Sequence, residues 1–280
     1  MTRRALVLGG GGVAGVAWQT GLLAGLVEGG AGVLEADLVV GTSAGAAVAA
    51  QITSGTPLAE LLGRQVNPAL QTTELTSTVD PDDLMMLMLD AYDGAADALD
   101  VRRRLGAMAL AAPTVPEAER RAVIAARLPS HRWPSAPELR IVAVDAETGE
   151  ERVFGPGQDV GLVDAVAASC AVPGVFPPVS IGGRRYIDGG VRTTENADLA
   201  AGCDRVLVLQ VIVAAGSADL DGQLAGLRER GARVTVIRPD EAAVAAIGPD
   251  LLDPAVRAAA ALAGHAQGLA AARPTAEFWR

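Results

Sequence analysis

Apolar and polar positions along the first fifty residues follow two periods in turn. Residues 4–8 read as a short buried strand, with Ala5-Leu6-Val7-Leu8 an unbroken apolar run ahead of a glycine stretch. Beyond the glycines, Trp18, Leu22 and Leu26 recur at a spacing of four and predict a helix over 15–28 with one apolar face. Residues 37–40 read as a second strand and 45–53 as an Ala-rich helix. Further strands are expected over 139–144, 205–213 and 233–237, and helices over 117–128, 160–168, 220–230 and 254–271. Such alternation predicts the α/β class, with a parallel sheet and covering helices. No internal repeat breaks it, so one domain over 1–280 is expected, with a variable, lid-like insert at about 56–135 that opens at Pro57. Within the insert, residues 82–89 hold Met85, Met86 and Met88. They form either a soft surface for acyl chains or an ordinary core helix, and the core helix is the simpler reading.

Composition narrows the picture. Half of the residues are hydrophobic but only 3% are aromatic, so the core must be built from Ala, Val, Leu and Gly. The formal net charge of −10 argues against a nucleic-acid partner and against adsorption to an anionic bilayer. Cys170 and Cys203 offer neither a disulfide framework nor metal-ligand spacing. No apolar run is long enough for a membrane-spanning helix. Arg3-Arg4 ahead of an apolar stretch imitates a secretory leader, but the four-glycine run interrupts it and the first strand is needed in the site. A cytoplasmic location is expected.

Three motifs carry chemistry. Gly41-Thr42-Ser43-Ala44-Gly45 matches G-x-S-x-G, with a strand before it and a helix after it. On such a turn a serine hydroxyl points away from the backbone, and small residues at 41 and 45 let helix and strand approach. Gly9 to Gly12, with Gly15 following, links the first strand to the first helix, and its amides form a nest for negative charge. A pyrophosphate is one candidate, because Gly10, Gly12 and Gly15 satisfy G-x-G-x-x-G and Glu35 or Asp37 stands about 20 residues on. The oxyanion of a tetrahedral acyl intermediate is the other, with Gly10, Gly11 and Gly12 as the oxyanion hole. Ser43 favours the second, since a dinucleotide fold has no use for a nucleophile there. Asp188-Gly189-Gly190 places a carboxylate at a strand end. The chain's histidines are His131, in a loop-like stretch, and His265, on an Ala-rich helix. A Ser43–Asp188 dyad is therefore expected, with a triad through His265 as the alternative. An oxidoreductase using the glycine loop, or a catalytically silent binding module on the same fold, remain the other classes.

These motifs, in this order, resemble the patatin-like phospholipase family. Residues 141–149 are similar to that family too, and so is Pro173-Gly174-Val175-Phe176-Pro177-Pro178 ahead of the aspartate. The resemblance implies a three-layer sandwich with a mainly parallel central sheet. It implies a serine acyl hydrolase with Ser43 as nucleophile, Asp188 as its base and the amides of Gly10, Gly11 and Gly12 as oxyanion donors. No metal or organic cofactor is implied, and the partner is a lipid or acyl ester met in transient contact with a membrane or micelle. The family often carries Lys or Arg just before the last loop glycine, where this chain has Ala14. With no loop cation and a net charge of −10, neutral or zwitterionic esters are the expected substrates, unless an arginine such as Arg184 or Arg185 supplies the charge.

Overall fold

The computed structural model describes residues 2–75, 79, 81–212 and 218–280. The chain begins β1 (Arg4–Leu8), α1 (Gly12–Glu28), β2 (Leu38–Thr42), α2 (Ala44–Ile52) and α3 (Leu58–Val66). Then come α4 (Pro81–Asp90), α5 (Ala98–Ala111), α6 (Glu117–Arg127), β3 (Glu138–Asp145), β4 (Glu151–Phe154) and α7 (Leu162–Ser169). It continues through β5 (Val179–Ile181), β6 (Arg184–Asp188), β7 (Arg205–Leu209) and α8 (Ala218–Glu229). β8 (Arg233–Ile237), α9 (Glu241–Ile247) and α10 (Arg257–Trp279) complete it.

One sheet runs through the molecule in the order β5-β6-β3-β2-β1-β7-β8, with β4 also pairing β3. The pairs from β3 to β8 along this path are parallel, and β4, β5 and β6 enter antiparallel. Both faces are covered, which is why the strands read as continuous apolar runs. On one face Leu6, Leu8, Val39, Ile141 and Leu207 pack under α1, α2 and α7. On the other, Ala5, Val7, Val40, Val142 and Val208 pack under α8 and the short turn at Ala197–Ala200. These are the three layers.

α1 is buried from Val13 to Leu26, not along one face as its spacing predicts. It lies between the sheet and α10, and α2 and α3 close its flanks. Glycines let α1 and α10 touch backbone to backbone: a Cβ on Gly21 would stand 2.0 Å from the Ala261 carbonyl oxygen, and one on Gly264 2.3 Å from that of Trp18. The Trp18 indole N–H donates to Gln267 across the same seam at 2.9 Å. α10 continues past the expected end at 271, through Pro274, because the buried Trp279 anchors its last turn.

Other expectations shift. α1 starts within the glycine loop rather than at 15. β7 ends at Leu209, where Gln210 turns its amide to the Ile237 carbonyl, and the expected strand end at Val213 lies outside the described residues. The described side chains of α4 are not those of a core helix: Met86 and Leu89 are exposed, while Leu84 and Met88 face the cavity described below. No helix among the described residues is long and apolar enough to cross a membrane.

Candidate active site

Ser43 sits between the last residue of β2 and the first of α2, at φ 52° and ψ −117°. A side chain is rarely held in this region, and such strain persists only where the surroundings over-determine it. Here the Ser43 amide donates to Ser169 Oγ at 2.9 Å, and its carbonyl accepts from Cys170 Sγ at 3.1 Å. Gly45 permits the tight turn, since a Cβ there would lie 1.9 Å from the Leu8 carbonyl oxygen; Gly41 similarly clears Ala46. The serine stands at the N-terminus of α2, where the helix dipole favours developing negative charge.

Strand register brings Asp188 to it. Thr42 pairs with Val142 and Asp188 with Ala143 while β4 takes the other edge of β3 across both, so β2 and β6 lie end to end along one edge of β3 and their ends meet. Gly189 has no room for a side chain against the Val142 carbonyl. Asp188 Oδ1 accepts the Gly190 amide at 2.7 Å, and Oδ2 is buried with no hydrogen-bond partner. Burial pushes the Asp188 carboxyl up to about 7, against the opposing pull of the Ser43 hydroxyl, the Gly190 amide and Arg120. The Ser43 hydroxyl is thus near enough to act on Asp188, but its geometry falls short of a formed hydrogen bond. Hydrogen bonds between reacting groups are often long or poorly aligned until substrate is bound.

Gly10, Gly11 and Gly12 line the same cavity as Ser43 and Asp188. The Gly10 amide is already donated to the Thr194 carbonyl at 2.9 Å, which corrects its place among the oxyanion donors. Among the described residues nothing takes up the amides of Gly11 and Gly12, and Gly12 adopts φ +61°, close against Leu251. The Gly9 carbonyl ties the loop to α2 through the Gly45 amide at 3.1 Å, and Gly15 packs against Ala44. Ala14 is fully buried in the core, so its position does not face the cavity.

Two alternatives fall here. His265 pairs with Glu28 on α1 at 2.8 Å and His131 meets the Ala125 carbonyl, so neither histidine faces Ser43. Glu35 and Asp37 precede β2 and so lie at the opposite end of the sheet from the glycine loop, where they could not reach a ribose bound there. Among the described residues no cluster of His, Cys, Asp and Glu is arranged to hold a metal ion.

The cavity measures about 540 Å³ and is mainly apolar, with Leu84, Met88, Tyr92, Leu105, Val172 and Ile212 on its walls. An equally large groove beside Leu34 and Pro137 contains no cysteine, histidine or glycine loop. Asn196 is a site residue that sequence reasoning missed. It is buried and left-handed, and its Nδ2 donates to Thr42 Oγ1 at 3.0 Å, the Gly189 carbonyl at 3.2 Å and the Thr193 carbonyl at 2.7 Å. It therefore braces the residue before Ser43 against the residue after Asp188. Ser169 and Cys170 lie in a stretch whose local signal concerns the turn that follows, not their contacts with Ser43.

Known proteins bear on this site. A family model described as Patatin-like phospholipase matches residues 6–201. The crystal structure of VipD from Legionella pneumophila superposes with a TM-score of 0.51 at 14% sequence identity, over 98% of this chain and 67% of that one. At that identity the likeness is one of fold.

Proposed function

Since the chain belongs to the patatin-like phospholipase family, whose activity is lipid acyl hydrolysis, we propose that it is a serine acyl hydrolase working through a Ser43–Asp188 dyad. Ser43 Oγ attacks the acyl carbonyl and its proton passes to Asp188 Oδ2. The oxyanion is held by the amides of Gly11 and Gly12, each such donor contributing about 3 kcal/mol in comparable sites. Collapse expels the alcohol, which takes the proton back, and leaves Ser43 acylated. Asp188 then deprotonates water, which attacks the acyl-enzyme and releases the acid. A base near pH 7 suits both proton transfers. The acyl chain occupies the apolar cavity, whose α4 wall carries Leu84 and Met88.

The observation that carries this reading is the unpartnered, buried Oδ2 of Asp188 beside a serine held at a strained turn. A fluorophosphonate probe should label Ser43. Ser43→Ala should stay folded, lose labelling and lose about 10⁴-fold or more in turnover on a nitrophenyl ester. Wild-type turnover in that variant would move the nucleophile elsewhere.

A further inference from the structure

Behind Ser43 lies a buried cluster of charge, one member of which, Arg120, also pulls on Asp188. Arg120 and Arg127 stand seven residues apart on α6 and so share a face, and Arg257 opens α10. All three converge on Glu74, with side-chain exposures of 6%, 9% and 7% against 3% for the carboxylate. Glu74 Oε1 accepts from Arg120 at 2.5 Å, and Oε2 accepts from Arg127 and, at 3.2 Å, from Arg257. Three guanidiniums face one carboxylate, so this buried set carries two positive charges more than Glu74 neutralises. An unbalanced buried charge is expensive to keep without a counter-ion. Arg120 Nε has no hydrogen-bond partner among the described residues, and its guanidinium lies 3.5 Å from the Phe176 ring centre. A space of about 20 Å³ between Arg120, Arg127 and Glu74 also touches Ser43 and Gly12. It shares Gly12, Ser43, Val172 and Leu252 with the acyl cavity, so the nucleophile stands between an apolar chamber and a cationic one.

We propose that Arg120, Arg127 and Arg257 form an anion subsite beside the nucleophile, filled in this structure by the Glu74 carboxylate, and that it takes the phosphoryl or carboxylate group of an anionic acyl ester. The proposal rests on the reading of Ser43 as the nucleophile. With Glu74 in place the space holds little more than a water molecule, so a phosphoryl group enters as Glu74 leaves. Glu74 belongs to the stretch 71–75, which has no regular secondary structure to hold it there. Arg184 and Arg185 do not serve this purpose: Arg184 pairs with Asp145 and Arg185 with the Pro178 carbonyl. The preference expected from Ala14 and the net charge is therefore reversed: anionic esters should be the better substrates.

The test uses a monoacylglycerol and its phosphate monoester with the same acyl chain, in the same detergent micelles. The readout is the ratio of kcat/KM, phosphorylated over neutral. Arg120→Gln should lower this ratio about tenfold, the scale of one charge-assisted hydrogen bond. Glu74→Gln, which keeps the shape and removes the competing charge, should raise it several-fold. Should Arg120→Gln fail to fold, Glu74→Gln alone decides. An unchanged ratio in the folded variants overturns the proposal. Inorganic phosphate separates a head group from a free anion: if it inhibits both esters equally while the ratio ignores the arginines, the site serves free phosphate and the proposal falls. If wild-type protein hydrolyses neither ester, it is the dyad reading that has failed. The subsite is then read by thermal shift with phosphate: a larger shift in Glu74→Gln than in wild type upholds it, and no shift in either sinks it.

Discussion

Asp188 and Glu195 are two carboxyls that burial raises to about 7, Asp188 against the pull of Ser43, and Glu195 against its own backbone amide and Arg238. Their ordinary values are 3.8 and 4.5, so the folded chain binds more protons than the unfolded chain between those values and about 7. Stability should therefore fall as pH rises through that window, by about 1.4 kcal/mol per pH unit for each group at most. Asp188→Asn removes one of the two slopes. Urea unfolding at pH 5 and pH 8 should show a shallower loss in the variant than in wild type. Under the proposed dyad activity runs the opposite way: the base is the Asp188 carboxylate, so turnover in wild type should climb through about pH 7. Asn196 invites a different measurement. Asn196→Gly keeps the left-handed backbone and removes the brace between Thr42 and Gly189. It should lower kcat about 10- to 100-fold with little change in KM, the mark of misplaced reacting groups. The turns that carry Ser43 and Asp188 were legible in the sequence because each sits in a short motif whose glycines announce it. Asn196 was not, since its bond to Thr42 spans 154 residues and leaves no local trace. Gly10 shows the converse: the motif identifies the loop, but only the Thr194 carbonyl across the site decides which amides stay free.

The elements read well wherever period and flanks agreed. β1 and β8 fall on the expected residues, and α6 and α8 within two of them. The failures have physical causes. β4 is four residues at the sheet edge, with exposed Glu151 and Arg152, and its pattern is too short to stand out. α4 looks like a core helix by composition, but its neighbours leave it over a cavity, a fact of tertiary packing. α1 shows how far burial can exceed periodicity. Its seam with α10 depends on missing side chains, so Gly21→Leu should drive α10 off and cost about 3 kcal/mol or more, seen as a fall in Tm. A Tm within a degree of wild type would show that the seam can open without loss.

At the scale of the whole molecule, the match to the family ends at 201, yet the sheet does not. β7 pairs with β1 along its entire length, from Arg4–Arg205 to Leu8–Leu209, and β8 covers β7 in turn. The Leu251 carbonyl accepts the Ala14 amide, and Leu251 and Pro254 help to wall the cavity. A fragment of residues 1–201 would expose an edge of β1 and the outer face of α1. It should be insoluble, or lack cooperative unfolding when followed by circular dichroism; a folded, active fragment would refute this account of the core. The same arrangement bears on synthesis. α1 leaves the ribosome well before α10, which buries its outer face. At about 5–20 residues per second an apolar helix waits on the order of ten to fifty seconds for its partner. Over that interval the outer face of α1 stays uncovered, and slow translation between the two helices would lengthen its exposure.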